Sequence, residues 1–286
     1  QEALARASSL LSYDPDAPLL DQYLTYLGGL VQGNLGQSIV APGTSVIDYI
    51  LAYLPWTLFS VGLGLLLSFL IGIALGVLIA YKRGRWIDHL ITNISSALNA
   101  VPNYMWAMLV IVVFGVQLRW FNVGSLRGTL TPGVQPGFTA EFILDALTHA
   151  ALPITVYTLT SVGGWILQMK SSTTQVLEDD YVIGAKARGL PGSRIHISYV
   201  GRNAILPLFT QFAVQLGFVV GGSTLVEQIF KYDGVGYYFY DAIVARDYPV
   251  VQGFILIITV SVVLANLMAD LLLSRIDPRI RVEGAR

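Results

Sequence analysis

The chain contains no cysteine in its 286 residues. Disulfides and thiolate metal sites are therefore excluded, while the compartment stays open. Charge is scarce: Asp, Glu, Lys and Arg make up 12% of the chain, against about 25% in an ordinary soluble domain. The formal net charge of −1 gives no basic field for nucleic acid. There is no G-x-x-x-x-G-K-[ST] phosphate loop, so the chain carries no nucleotide site of that kind. Its histidines, His89, His149 and His196, do not form a metal cluster by spacing and are read as interfacial polar residues.

What is present is long and apolar. A helix needs about 20 mostly apolar residues to cross the hydrocarbon core of a bilayer. Five windows of that order lack Asp, Glu, Lys and Arg: Tyr49–Tyr81, Leu90–Leu118, Ala150–Met169, Asn203–Val226 and Tyr248–Ala269. They predict helices over residues 55–80, 94–117, 147–170, 203–226 and 249–273, to within a few residues. A buried helix of a soluble protein would show a polar face at helical spacing, and FSVGLGLLLSFLIGIALGVLIA (59–80) shows none. The chain is therefore read as an all-α integral membrane protein, with an external segment over residues 1–50 and a polytopic domain over 51–286. Ser68, Gly72 and Gly76, and Gly217 and Gly221, recur every four residues, which lets helix backbones approach closely. Pro102 is expected to kink the second span.

Twelve of the 17 Lys and Arg residues fall in the loop after the first span, in the stretch between the third and fourth spans with its flanks, and in the C-terminal tail. The positive-inside rule puts those regions in the cytoplasm and residues 1–50 outside. Five spans then leave the N-terminus outside, and a sixth helix before Gln1 is expected to bring it across.

The stretch EDDYVIGAKARGLPGSRIHISYVGRNAILP (178–207) interrupts the apolar pattern. Asp179 or Asp180 can cap a helix, with the acidic run at the positive end of its dipole. Gly189 suits the position just past the helix end, with Pro191 as a stop, and Ser193 can cap a second helix. Gly184, Ala185, Ala187 and Gly189 form a thin ridge flanked by Lys186 and Arg188. An amphipathic helix resting on lipid would want larger apolar residues there, so docking of a protein is the favoured reading.

This stretch resembles the EAA loop of ATP-binding-cassette (ABC) importer permeases. In particular, DYVIGAKARGL followed by RNAILP is similar to the peptide/nickel/oligosaccharide (dipeptide/oligopeptide permease B-like) family. Asp180, Tyr181, Ala185, Ala187, Arg188, Gly189, Leu190, Arg202, Asn203, Ala204 and Pro207 fit the pattern. YLGGLVQGNLGQS (26–38), GGSTLVEQIF (221–230), GVGYYFYDAI (234–243), RDYPVVQG (246–253), NLMADLL (266–272) and DPRIR (277–281) add to the likeness. Asp233 departs from it, where the family commonly has Pro.

The resemblance implies a MetI-like ABC type I importer transmembrane domain with six helices, in the cytoplasmic (inner) membrane of a prokaryote. It implies that residues 178–202 form a coupling helix, with Asp180, Tyr181, Gly184, Ala185, Lys186, Ala187, Arg188, Gly189 and Leu190 in the ATPase-coupling element. The implied partners are a second homologous permease, two cytoplasmic ATPase subunits that hold the ATP and Mg, an external substrate-binding protein and the lipid bilayer. The subunit itself would not be an enzyme and would hold no cofactor. Oligopeptides or dipeptides are the expected cargo, oligosaccharides the alternative, and nothing marks a nickel site. A secondary transporter would favour internal repeats and a midplane ion site, which the sequence does not show. A non-transporting scaffold would lack the coupling signature.

Polar residues inside the spans either join helices or line a pathway. Asn99, Asn103, Gln168, Gln211 and Gln215 are the pathway candidates, with Asn266 also considered. Glu227 and Asp270 are placed at span ends, Asp270 as a structural contact. The loop 118–146 is either a binding-protein contact or a solvated connection.

Overall fold

The computed structural model describes residues 17–276. The expectations for residues 1–16, for the 277–281 motif and for the Asp270 side chain lie outside the described residues. Helix α1 (Leu19–Val31) precedes two long helices, α2 (Val46–Tyr81) and α5 (Ala140–Leu177). At 1.5 Å per residue these reach about 54 and 57 Å, well past the roughly 30 Å of hydrocarbon. Both outrun the apolar windows because polar residues at their ends can stand in water. Thr139 starts α5 by accepting the Phe142 N–H at 3.2 Å.

Close approach explains why α2 and α5 pair along their length. A Cβ added at Gly72 would lie 2.2 Å from Trp165 Cβ, and one at Gly76 would lie 2.5 Å from Met169 Cβ. Ser68, one turn before Gly72, is buried and turns its hydroxyl onto the Leu65 carbonyl oxygen. Gly64, against Tyr157, continues the stripe one turn beyond the residues singled out from sequence. Gly217 brings α9 against Ala265 of α12 in the same way.

Two expected spans are broken. The second consists of α3 (Trp86–Ala100) and α4 (Asn103–Leu109), the latter running on as a π-helical segment (Val110–Gln117), with a bend of 98° between them. Pro102 does more than kink it. The ring forces Val101 into extended backbone (φ −97°, ψ 127°), so α3 ends and Pro102 becomes the N-cap of α4. The fourth consists of α9 (Leu206–Val219) and α10 (Thr224–Phe230), bent by 58°, where Gly222 turns the chain with φ +64°. Between α5 and α9 lie α6 (Asp180–Ala187), α7 (Gly192–Arg194), a π-helical segment (Ile195–Gly201) and α8 (Arg202–Ala204). After α10 come α11 (Val235–Val244) and α12 (Tyr248–Ile276). Among the described residues, three helices are thus long and apolar enough to cross a membrane, or up to five spans if each bent pair counts as one.

Loop contacts divide into two sets. At one end, Arg83 in the loop after α2 pairs with Glu178 after α5 at 3.0 Å, and the Tyr81 and His196 rings lie 4.2 Å apart. At the other, the Gly128 N–H donates to the Lys231 carbonyl oxygen at 2.8 Å, and residues 38–40 bond to Asp247. Loops on the same side by the Lys/Arg argument meet each other, and the alternation of spans follows.

Candidate functional site

At the first of these ends, α6 has a buried and an outward face. Val182 and Ala185 are fully buried against Ile195 and Val200 of the π-helical segment, with Tyr181, Leu190 and Leu177 around them. Ile183, Lys186, Ala187 and Arg188 face out, as do Asp180 and Gly189. The expected ridge is therefore split: Ala185 packs inward, Gly184 is half-buried, and only Ala187 and Gly189 are fully outward. Asp179 occupies the N-cap without a side-chain capping bond, and Pro191 rather than Ser193 stands at the N-cap of the next helical turn.

The turn itself is tightly specified. Gly189 has φ +70°, its N–H donates to the Lys186 carbonyl oxygen at 3.0 Å, and the Leu190 N–H donates to that of Ala185 at 3.3 Å. This pair of bonds with a left-handed residue is a Schellman closure, and the Leu190 side chain seals it against the cluster around Ala185.

Two polar devices hold the element in place. Asn203 Nδ2 donates to the Tyr181 hydroxyl oxygen at 2.9 Å and to the Tyr199 carbonyl oxygen at 2.8 Å, tying the start of α6 to the approach to α9. Lys170 Nζ on α5 lies 2.5 Å from Asp88 Oδ1 on α3 and donates to Thr92 Oγ1 at 3.0 Å. Asp88 is 3% exposed, and its other oxygen accepts the Gly84 N–H at 3.0 Å. A buried ion pair of this kind holds only when its remaining hydrogen-bonding positions are filled, as here.

Deeper in the membrane domain, four of the five pathway candidates meet. Asn99 on α3, Gln168 on α5, and Gln211 and Gln215 on α9 line one cleft of about 320 Å³, together with Thr160 and Ser161. Gln168 Nε2 donates to Gln211 Oε1 at 2.5 Å across it. Asn103 is elsewhere: its Nδ2 donates to Ser223 Oγ at 3.0 Å, joining the break before α4 to the break before α10. Asn266 is exposed on α12 and does not line the cleft.

The opposite end contains two carboxylates whose positions sequence reading did not explain. Glu227 is fully buried. Its Oε1 accepts from Thr57 Oγ1 at 3.0 Å and its Oε2 from the Tyr237 N–H at 2.9 Å, while Thr57 Oγ1 accepts the Val235 N–H at 2.7 Å. A Cβ added at Gly222, Gly234 or Gly236 would come within 2.8, 2.4 or 3.0 Å of this carboxylate, which is why glycines punctuate both motifs around it. The available signal was a lone acid in a long apolar run. Asp247, 3% exposed, accepts from the Ser38 hydroxyl and from the N–H groups of Ile39 (3.1 Å) and Val40 (3.3 Å), pinning the segment before α2 to the start of α12. Asp233, the departure from the family pattern, is half-buried, and burial raises its carboxyl above the usual range. His149 is buried on α5 with Nδ1 3.0 Å from the Asp145 carbonyl oxygen, whereas His89 and His196 are exposed. Among the described residues, no three His, Asp or Glu side chains are grouped to hold a metal ion.

Long paired helices, two spans bent by 98° and 58° and a helix–turn–helix at one end define a multi-pass transmembrane permease subunit. Its architecture is MetI-like. The solved structure described as inward facing conformations of the MetNI methionine ABC transporter aligns with a TM-score of 0.62 at 16% identity, over 81% of this chain and 97% of the other. Residues 72–282 match the model of the binding-protein-dependent transport system inner membrane component family, and the chain belongs to that family. It is 37% identical to the oligopeptide transport system permease protein AppB of Bacillus subtilis (strain 168), over 96% of this chain and 84% of that one. It is 36% identical to the di/tripeptide transport system permease protein DppB of Pseudomonas aeruginosa (strain UCBPP-PA14), over 93% and 82%. The dipeptide transport system permease protein DppB of Escherichia coli (strain K12) is 33% identical over 93% and 82%.

Proposed function

We propose that this permease is one of two membrane subunits of an ATP-driven, binding-protein-dependent peptide importer, and that α6 with its Gly189 turn docks on a cytoplasmic ATPase subunit. The observation that carries this reading is the division of α6. Its inner face is anchored to the end of α5 and the approach to α9 through Val182, Ala185 and the Tyr181–Asn203 bond. Its outer face leaves Ile183, Lys186, Ala187 and Arg188 uncovered.

The same two helices carry the cleft, with Gln168 on α5 and Gln211 and Gln215 on α9. A displacement of α6 would therefore move both walls. ATP, with Mg, would bind in the partner ATPases and draw the two coupling elements together. α5 and α9 would tilt with them, and the cleft would change the side to which it opens. An external binding protein would deliver the substrate. The substrates named for the relatives, oligopeptides, di/tripeptides and dipeptides, support peptide cargo.

The test is reconstitution with the second permease, the ATPases and the binding protein in proteoliposomes. Peptide uptake should require ATP. Ala187→Trp, on the outer face, should abolish substrate-stimulated ATP hydrolysis without lowering the yield of folded permease. Undiminished uptake in that variant would remove α6 from the docking role.

A further inference from the structure

The lining of the cleft is uniform in one respect: it contains no charged side chain. Its polar groups are the carboxamides of Asn99, Gln168, Gln211 and Gln215 and the hydroxyls of Thr160 and Ser161. The Thr160 hydroxyl is already turned onto the Val156 carbonyl oxygen of its own helix, so the carboxamides are the main groups facing into the space. A carboxamide carries the same donor and acceptor pair as a peptide group. Gln168 and Gln211 bond to each other across the cleft as two amides, the arrangement that a backbone amide of a bound chain could replace on each side.

We propose that this cleft reads the backbone amides of a peptide in transit, is indifferent to the charge of its side chains, and is not a sugar site. This rests on the importer reading above. The argument against sugar is the state of the one aromatic residue in the lining. A pyranose ring presents C–H faces that pack on an open aromatic ring, but Trp165 is 3% exposed. Its ring is covered by Phe69 edge-on at 5.1 Å and by Phe212 at 6.3 Å, leaving no face for a sugar. The argument for charge indifference is electrostatic. A fixed charge in a site with little water would favour cargo of the opposite sign strongly, and the lining offers none. A peptide importer that must pass acidic, basic and neutral side chains alike needs such a surface.

The test compares the reconstituted importer with variants carrying Gln211→Glu or Gln211→Lys. Uptake of Ala-Lys-Ala and Ala-Glu-Ala is measured in each, with the same binding protein, so that its own preference cancels in the ratio. The Lys/Glu uptake ratio should rise about tenfold in Gln211→Glu and fall about tenfold in Gln211→Lys, a factor that corresponds to about 1.4 kcal/mol. An unchanged ratio in both variants overturns the proposal. A second measurement covers the case in which a charge at 211 prevents assembly. The chain has no cysteine, so Gln211→Cys or Gln168→Cys would be the single thiol of this subunit, and labelling is read on the isolated band of this subunit from the assembled importer. Cationic and anionic methanethiosulfonates should label both positions at similar rates, and Ala-Ala-Ala, but not maltotriose, should slow the labelling. A strong preference for one reagent charge, no labelling, or protection by maltotriose alone would overturn the proposal. Wild-type importer that takes up no peptide would instead overturn the importer reading, and is seen before any variant is made.

Discussion

The break around Glu227 and the outer face of α6 treat polar groups in opposite ways. At the end bearing Glu227 and Asp247, both carboxylates are buried and bonded to N–H and hydroxyl groups of the same chain. At the other end, proposed above as the coupling end, α6 leaves two cations and an isoleucine uncovered, and the Arg83–Glu178 pair stands about two-thirds in solvent. The difference follows from backbone geometry. Irregular backbone at membrane depth has no water to satisfy it and must be closed by the protein itself, so the breaks near Gly222 and Pro102 are surrounded by internal bonds. α6 is a regular helix ended by a closed turn. Its backbone needs nothing further, and Ile183, Lys186 and Ala187 stay uncovered on its outer face.

The largest effect expected from this contrast lies beside Glu227. A Cβ at Gly234 would sit 2.4 Å from Glu227 Oε2 and 2.5 Å from Thr57 Oγ1, both held by other bonds. Gly234→Val should cost more than about 3 kcal/mol, the upper range of overpacking, and leave no monodisperse protein in detergent. Gly184→Ala at the coupling end, where a Cβ meets nothing within 4 Å, should purify normally. Equal yields from the two would dissolve the contrast.

Next is the carboxylate itself. Glu227→Ala strands the Tyr237 N–H and the Thr57 hydroxyl and opens a cavity, at about 2–4 kcal/mol. Glu227→Gln keeps the shape and one of the two acceptor oxygens, so it gives up one of the two bonds and not both, and should lose less. Melting in detergent should rank wild type, Gln and Ala in that order. If Ala melts with wild type, Glu227 is not what organises the two glycine motifs.

How much of this was legible in the sequence varies with the kind of signal. The long apolar helices and the α2–α5 glycine stripe were readable because span length and small-residue spacing are local patterns. The Gly189 turn was readable because a left-handed position leaves a residue signature. The 98° break was only half readable: Pro102 marked the place, but the angle depends on what α4 packs against, including Ser223 far along the chain. The Asp88–Lys170 and Asp247 contacts join residues 82 and about 208 positions apart, and no local pattern announces such pairs. The gathering of Asn99, Gln168, Gln211 and Gln215 around one cleft is of the same kind. The sequence nominates each carboxamide, and only the fold brings them together and sends Asn103 elsewhere.

Smaller effects are expected where the coupling end depends on local geometry. A Cβ at Gly189 meets nothing within 4 Å, so steric filling is not the issue. The φ of +70° is, and Gly189→Val should cost about 1–2 kcal/mol of left-handed strain and shift the α6 turn. Gly189→Asn, which tolerates that conformation, should restore most of the coupling. The check is peptide-stimulated ATP hydrolysis beside the detergent melting point. Val and Asn variants that couple equally would show that the turn need not be rigid.

The smallest effect should come from the most conspicuous contact at that end. Arg83 and Glu178 are joined at 3.0 Å and link the two loops that flank the coupling element, so they look like part of the transmission. Their side chains are 63% and 70% exposed, and an ion pair in that setting is screened by salt and opposed by the entropy of two long side chains. Arg83→Ala should therefore change stability by no more than about 0.5 kcal/mol and leave ATP coupling intact. Asn203→Leu, which removes the half-buried tie to Tyr181 at the same end, should uncouple hydrolysis from uptake. If Arg83→Ala uncouples and Asn203→Leu does not, force passes through the solvent-exposed loops and not through the anchored inner face of α6.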